Sequence, residues 1–360
     1  MKRRTFVQSA TAAISGLFAG CTGRTTGTTS GTAKTWLMPD EGEPHARTWM
    51  AFAASERIWG RDLAEVRRDL ATVATTIARF EPVSMLVRAQ DVGQARSLVG
   101  SANVELVTAE LDDLWMRDTG PVFVRDGGGV DFNFNGWGGK QEHLRDARVA
   151  GFVAQRAGVE RVRTDLVLEG GALEVDGEGT AIITESCVLN GNRNPGWSKR
   201  DVEEELAHLL GVRKVIWLPG IAGRDITDGH TDFYARFAGP GVVVAGLDTD
   251  PESFDHDVTR RHLDILRSAT DAAGRLLRVE VLEGPETVRS DSEDFAAGYV
   301  NFYVCNGAVI GPRFGDQRAD AAAKATMERV FPGRTVVQID IDGIAAGGGG
   351  IHCTTQQQPR

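Results

Sequence analysis

Apolar and polar positions along the chain repeat one local pattern: a short apolar strand, a tight glycine or asparagine turn, and a second apolar strand. It runs through 121–124, Arg125-Asp126-Gly127-Gly128 and Val130-Asp131-Phe132, and again through 172–175, Asp176-Gly177-Glu178-Gly179 and Ala181-Ile182-Ile183. The third copy is 233–237, Gly239-Pro240-Gly241 and Val242-Val243-Val244; the fourth is 300–304, Asn306-Gly307 and Ala308-Val309-Ile310. Each turn carries residues that a hairpin needs for positive φ. Between the hairpins, apolar residues recur at three and four in 62–78, 201–210, 256–273 and 319–330, which predicts half-buried helices. The unit is therefore two strands, a helix and another strand, repeated around an axis in an α/β fold.

Polar residues stand immediately before each hairpin. They are Trp115-Met116-Arg117-Asp118, Leu168-Glu169-Gly170-Gly171, Asp228-Gly229-His230-Thr231-Asp232 and Tyr299-Val300-Asn301, and the chain closes on Gly347-Gly348-Gly349-Gly350-Ile351-His352-Cys353. Set around an axis, these five segments meet at one end and gather Asp118, Glu169, His230, Asp232, Asn301 and Cys353. Each residue alone has an ordinary structural explanation: a local ion pair for Asp118, a turn for Glu169, a hydrogen-bonded histidine for His230, a small buried thiol for Cys353. Their recurrence at corresponding places favours a site. The glycine run packs no side chain, so it fits close approach of backbone to something flat, and it delivers a nucleophile. Strand alternation puts His230 and Asp232 on one face and His352 and Cys353 on opposite faces, which predicts His230, not His352, as the base for Cys353.

With 360 residues, 41% hydrophobic and 25% charged, the chain has room for a large core, as one large domain or two small ones. Its first residues do not read as part of that core. Met1-Lys2-Arg3-Arg4-Thr5-Phe6-Val7 followed by a weakly apolar stretch is the pattern of a signal peptide, 1–20, of the twin-arginine export type. Leu17-Phe18-Ala19-Gly20-Cys21 resembles a lipobox with Phe18 in place of an aliphatic residue, making Cys21 the expected lipidation site. Residues 21–35, rich in Thr and Gly, read as a flexible tether, leaving 36–360 as a single folded domain held outside the cytoplasmic membrane or secreted. The only membrane contact expected is this lipid anchor.

The formal charge is -10, and loss of Lys2, Arg3 and Arg4 with the leader makes it -13. That balance argues against nucleic acid and suits cationic small molecules, or plain solubility. Besides Cys21 the cysteines are Cys187, Cys305 and Cys353, far apart, so no disulfide framework is expected. No CxxC or HExxH spacing occurs, and no metal or cofactor is predicted.

A thiolate, an imidazole and several carboxylates without a metal limit the chemistry. Carboxylates beside the nucleophile would oppose the oxyanion of a cysteine protease. They suit a substrate that is already a cation, and a planar guanidinium matches carboxylates that accept its N–H groups in pairs.

These residues resemble the agmatine deiminases and the bacterial peptidylarginine deiminases of the guanidino-group-modifying superfamily. The shared motifs include Met38-Pro39, Glu43-Pro44-His45, Asp112-Asp113-Leu114-Trp115-Met116-Arg117-Asp118-Thr119-Gly120-Pro121, Trp137-Gly138-Gly139-Lys140, Leu168-Glu169-Gly170-Gly171, Asn192-Arg193-Asn194-Pro195, Asp228-Gly229-His230-Thr231-Asp232, Phe314-Gly315-Asp316 and Ile351-His352-Cys353-Thr354-Thr355-Gln356-Gln357. The resemblance implies a five-bladed pseudo-symmetric α/β propeller, the pentein fold. It also implies hydrolytic deimination, with Cys353 as nucleophile, His230 as acid and base, Asp118 and Asp232 holding the guanidinium, and Glu169 orienting His230. Trp115 and Asn301 are expected at the substrate.

Three departures from the family pattern stand at Gly42, at Ala53-Ala54-Ser55 and at Gly350, and they predict an altered distal pocket, with Gly42 opening its mouth. Agmatine, giving N-carbamoylputrescine and ammonia, is the leading substrate, with free or peptidyl arginine next. Amidino transfer to an amine and a non-catalytic guanidino-binding lipoprotein remain alternatives. Nothing in the sequence speaks to oligomeric state.

Overall fold

The computed structural model describes residues 36–52, 55–290, 292 and 295–360. The leader, Cys21 and the tether lie outside the described residues, as do Ala53 and Ala54.

Five small sheets carry the fold. Four share one plan: an antiparallel hairpin whose second strand pairs in parallel with a third. They are Val122–Val124, Gly128–Asp131 and Glu160–Arg163; Leu173–Val175, Thr180–Thr184 and Lys214–Leu218; Ala235–Gly239, Val242–Leu247 and Arg278–Glu283; and Tyr303–Cys305, Ala308–Arg313 and Thr335–Asp340. Parallel pairing needs a crossover. Helices Val149–Ala157, Lys199–Leu210, His256–Ser268 and Gln317–Val330 supply it. In the fifth sheet the hairpin is split between the two ends of the chain: Thr355–Pro359 pairs antiparallel with His45–Phe52, which continues in parallel to Val83–Val87 and Val104–Thr108. The C-terminal strand thus closes the ring of a five-bladed α/β propeller, as expected.

The predicted hairpin turns hold, with Asp126 at φ 63° and Gly127 at φ 80°. Helix ends moved where side chains cap them. Ser198 and Asp201 form a reciprocal capping box that starts one helix at Lys199, and Asp316 accepts from the N–H groups of Arg318 and Ala319, starting another at Gln317. The helix expected over 256–273 stops at Ser268. There the Asp271 carboxylate takes the N–H groups of Ala273 and Arg275 and closes a turn.

One correction bears on the site. The residues before the hairpins are not strand: Met116–Thr119, Gly170–Ala172, Thr231–Phe233 and His352–Thr354 are short helical turns. Alternation therefore says nothing about which way His230, Asp232, His352 and Cys353 point, because each turn resets the direction before its strand begins. Both His352 and Cys353 reach Asp232.

Candidate active site

The turns converge as the repeat predicts. A methyl group placed on Gly171 would stand 2.7 Å from His230 Nδ1, 2.9 Å from Asp118 Oδ1 and 3.1 Å from Asp232 Oδ2. Only a glycine leaves the three groups room to meet. Beside them is a narrow pocket of about 30 Å³, lined by Trp115, Asp118, Trp137, His230 and Cys353 among others, with the glycines 347–349 as one wall. A cavity of that size admits about one water molecule, so a guanidinium enters only if a wall lifts. At Gly349 an added methyl would stand 2.1 Å from the Trp115 ring, so only bare backbone can approach the indole this closely.

Cys353 is buried, its Sγ 3.3 Å from Asn301 Nδ2 and 3.4 Å from Asp232 Oδ2. Burial pushes the thiol well above its ordinary range and the Asp232 and Asp118 charges push it further, against a pull from the Gly350 N–H and Asn301. In the empty site Cys353 is a thiol. A cation bound beside it reverses the balance of charge and favours the thiolate.

The two aspartates differ. Asp232 accepts from His352 at 2.8 Å through Oδ2, while its Oδ1 is buried without a hydrogen-bond partner. Burial raises its pKa, but His352 and the more distant His230 and Arg236 outweigh that and hold it at about 2. Asp118 accepts from the Gly171 N–H at 3.0 Å and from Trp137 Nε1 at 2.9 Å. Burial raises its pKa, and Glu169 and Asp232 add to the rise against His230 and Trp137. One carboxylate is firmly charged and carries a free oxygen; the other is harder to ionise, and a cation beside it would favour its charged form.

His230 Nε2 lies 3.3 Å from Glu169 Oε2, and its Nδ1 faces Asp118 Oδ2 at 3.8 Å. Burial favours the neutral ring, yet Asp118, Cys187 and Glu169 together hold the imidazole well above its ordinary range. Glu169 is itself held at about 2, because Arg193 and His230 outweigh its burial. Arg193 reaches Glu169 Oε1 at 2.9 Å and Asp228 Oδ2 at 2.6 Å, both fully buried contacts.

Trp115 lines the cavity as expected, its Nε1 held by Asp113 at 3.1 Å, with Trp59 on the same carboxylate. Asn301 does not line it. Its Oδ1 takes the N–H of His352 at 3.0 Å and its Nδ2 donates to the Asp232 carbonyl at 3.3 Å, so it clamps the turn that carries Cys353. Its Nδ2 also lies 3.3 Å from Cys353 Sγ, so it holds both the turn and the nucleophile. Gly350 belongs to that clamp too, since an added methyl would meet Asn301 Oδ1 at 2.4 Å. Gly42 lies at the other end of the axis. Its N–H bonds Asp40 and its carbonyl accepts from Arg334, which also holds the Cys305 carbonyl at the hairpin's far end. Neither departure widens the mouth.

Sequence reasoning missed the charges below the site. Glu41 accepts from Arg117 at 2.9 Å, Arg236 at 2.8 Å and the Val304 N–H at 2.8 Å, and lies 3.0 Å from His352 Nε2. Arg236 also donates to Glu174 at 2.7 Å. These residues fix His352 between two carboxylates, away from the cavity, which is why His230 and not His352 stands beside Cys353 at its wall. One signal was readable: Arg236 interrupts an apolar strand, and a buried arginine requires acids. Cys187, whose Sγ donates to Glu169 Oε2 at 3.4 Å, left no such signal.

The comparisons with known proteins agree with this geometry. A Streptomyces coelicolor relative is 46% identical over 91% of this chain and 99% of its own length. The agmatine deiminase of Pseudomonas aeruginosa is 39% identical, covering 89% of this chain and 95% of that protein. The solved structure of the agmatine deiminase of Enterococcus faecalis superposes with a TM-score of 0.86 at 32% identity, over 91% of this chain and 96% of that one. Residues 37–359 match the Porphyromonas-type peptidyl-arginine deiminase family, and with its five blades and convergent acids the chain belongs to that family.

Proposed function

We propose that the protein hydrolyses the guanidinium of agmatine, giving N-carbamoylputrescine and ammonia. The observation that carries the reading is the charge of the cavity. Asp118 and Cys353 line it, Asp232 stands 3.4 Å from Cys353 Sγ with its Oδ1 unpartnered, and among the described lining residues there is no lysine or arginine to receive a carboxylate. A substrate with a cation at the reacting end and none of arginine's acid at the other fits best. The relatives named as agmatine deiminases support it.

In this mechanism Asp118 and Asp232 accept the guanidinium N–H groups and present its carbon to Cys353. The cation favours the thiolate, which attacks that carbon; the C–N bond breaks as His230 protonates the departing ammonia. Neutral His230 then takes a proton from water, whose oxygen attacks the amidino-thioether carbon and releases the ureido product and Cys353. Glu169, held by Arg193, keeps the ring in place and favours its charged form. Trp115 offers an aromatic wall to the cation.

Ammonia and ureido product are measured with agmatine, arginine and an arginyl peptide, without added amine. Agmatine is expected to show the highest kcat/KM, by at least about 100-fold, roughly the discrimination of 2.7 kcal/mol. Preference for the peptide or for free arginine would overturn the substrate, and absence of ammonia from all three would overturn hydrolysis.

The same proposal places the enzyme outside the cytoplasmic membrane, a reading that rests on Arg3-Arg4 and the stretch ending at Cys21. Cys21→Ser is expected to move the protein from the membrane fraction to the soluble exported fraction. Recovery of both forms from the cytoplasm would refute export.

A further inference from the structure

We propose that Glu169, Cys187 and His230 form a binding site for a thiophilic divalent cation of the Zn2+ class, which inhibits the enzyme rather than serving it. Cys187 is a buried thiol that the reaction above does not use. Its Sγ lies 3.4 Å from Glu169 Oε2, which lies 3.3 Å from His230 Nε2, and the three ligand atoms are all within 4.8 Å of one another. Bonds to Zn2+ are about 2.0–2.3 Å long, so neighbouring ligands of a tetrahedral ion stand roughly 3.3–3.8 Å apart. Both distances to Glu169 Oε2 already fall in that range. Thiolate, imidazole and one carboxylate also select a borderline-soft ion over Mg2+ or Ca2+.

The surroundings have the form that orients metal ligands. A ligating histidine turns its other ring nitrogen toward a carboxylate, and a ligating carboxylate is held by a separate donor. Here His230 Nδ1 faces Asp118 Oδ2 at 3.8 Å, and Arg193 Nε holds Glu169 Oε1 at 2.9 Å while also reaching Oε2, the oxygen nearest Cys187 and His230, at 3.2 Å. Binding the ion therefore requires Arg193 to give up its longer contact to Oε2 while it keeps Oε1. His230 lines the cavity, which gives the ion a path. Binding displaces the thiol proton of Cys187 and the proton at His230 Nε2 to solvent, without oxidation or reduction. With Nε2 coordinated, His230 cannot move protons. That inhibition rests on the role proposed for His230; the binding does not.

The two are read separately. Co2+ is titrated into the full chain carrying Cys353→Ala, and near-ultraviolet thiolate-to-cobalt absorption is recorded against the double variants Cys353→Ala/Cys187→Ala and Cys353→Ala/Cys187→Ser. The serine variant keeps a hydroxyl for Glu169. The band is expected in the first protein and lost in both doubles, so contributions from Cys21 and Cys305 cancel. A band that persists without Cys187, or none in Cys353→Ala, overturns the site. In enzyme with Cys353 intact, Cys187→Ser is expected to raise the half-inhibiting Zn2+ concentration by at least about tenfold. If inhibition is unchanged while the cobalt band disappears, the ion binds here but stops turnover elsewhere, and the inhibitory half is overturned.

Discussion

Cys353→Ala is expected to lower ureido-product formation by about 10⁴-fold or more while agmatine still binds. The loss is large because nothing else in the cavity is a nucleophile for a delocalised cation. Binding survives because the cradle does not depend on the thiol: Asp232 is held charged by His352, and Asp118 is held in position by the Gly171 N–H and Trp137. The Asn301 clamp acts on backbone groups that alanine retains. Steady-state rates and calorimetric titration with agmatine check the two halves. Turnover within about tenfold of the parent would remove the covalent step, and loss of binding along with rate would show that the thiol helps to build the cradle.

Glu41→Ala is expected to cost about 3–5 kcal/mol of stability, the range for breaking a buried ion pair by removing one partner. Glu41 joins Arg117, Arg236 and His352, all buried. Burial alone would raise its pKa, but Arg236, His352 and Arg117 outweigh that and hold it well below the carboxylate range. Its removal takes the carboxylate from Arg117, leaves Arg236 with Glu174 alone, and frees Nε2 of the histidine that holds Asp232. For a chain of this size the loss corresponds to roughly 4–7 °C in Tm, measured by calorimetry with enzyme activity followed well below the transition. A smaller fall is expected for Glu41→Gln, which keeps shape and some hydrogen bonds but no charge. An unchanged Tm in Glu41→Ala would mean that the network is not a support for the site.

The repeats and the reacting groups were legible because their signals are local. Alternating apolar runs and turns such as Asp126-Gly127 act within a few residues, and residues before each hairpin follow the blade to the axis. Helix ends were less legible: capping by Ser198, Asp316 and Asp271 competes with apolar periodicity, and the cap wins. The alternation argument about His352 failed for a related reason. It assumed strand where Thr231–Phe233 and His352–Thr354 are turns, although His230 is still the histidine that shares the cavity with Cys353.

By itself the sequence determined the α/β repeat and that Cys353, His230, Asp118, Glu169 and Asp232 are carried to one end of its axis. Tertiary structure decided the partners of those acids, the hold of Asn301 on the turn of Cys353, and the place of Gly42 between Asp40 and Arg334. It also decided the buried network, whose partners lie far apart in the chain: Glu41 meets Arg236 across 195 positions and His352 across 311. Chain closure by the last strand brings these charges together, and desolvation there makes every unpaired charge costly enough to require its partner.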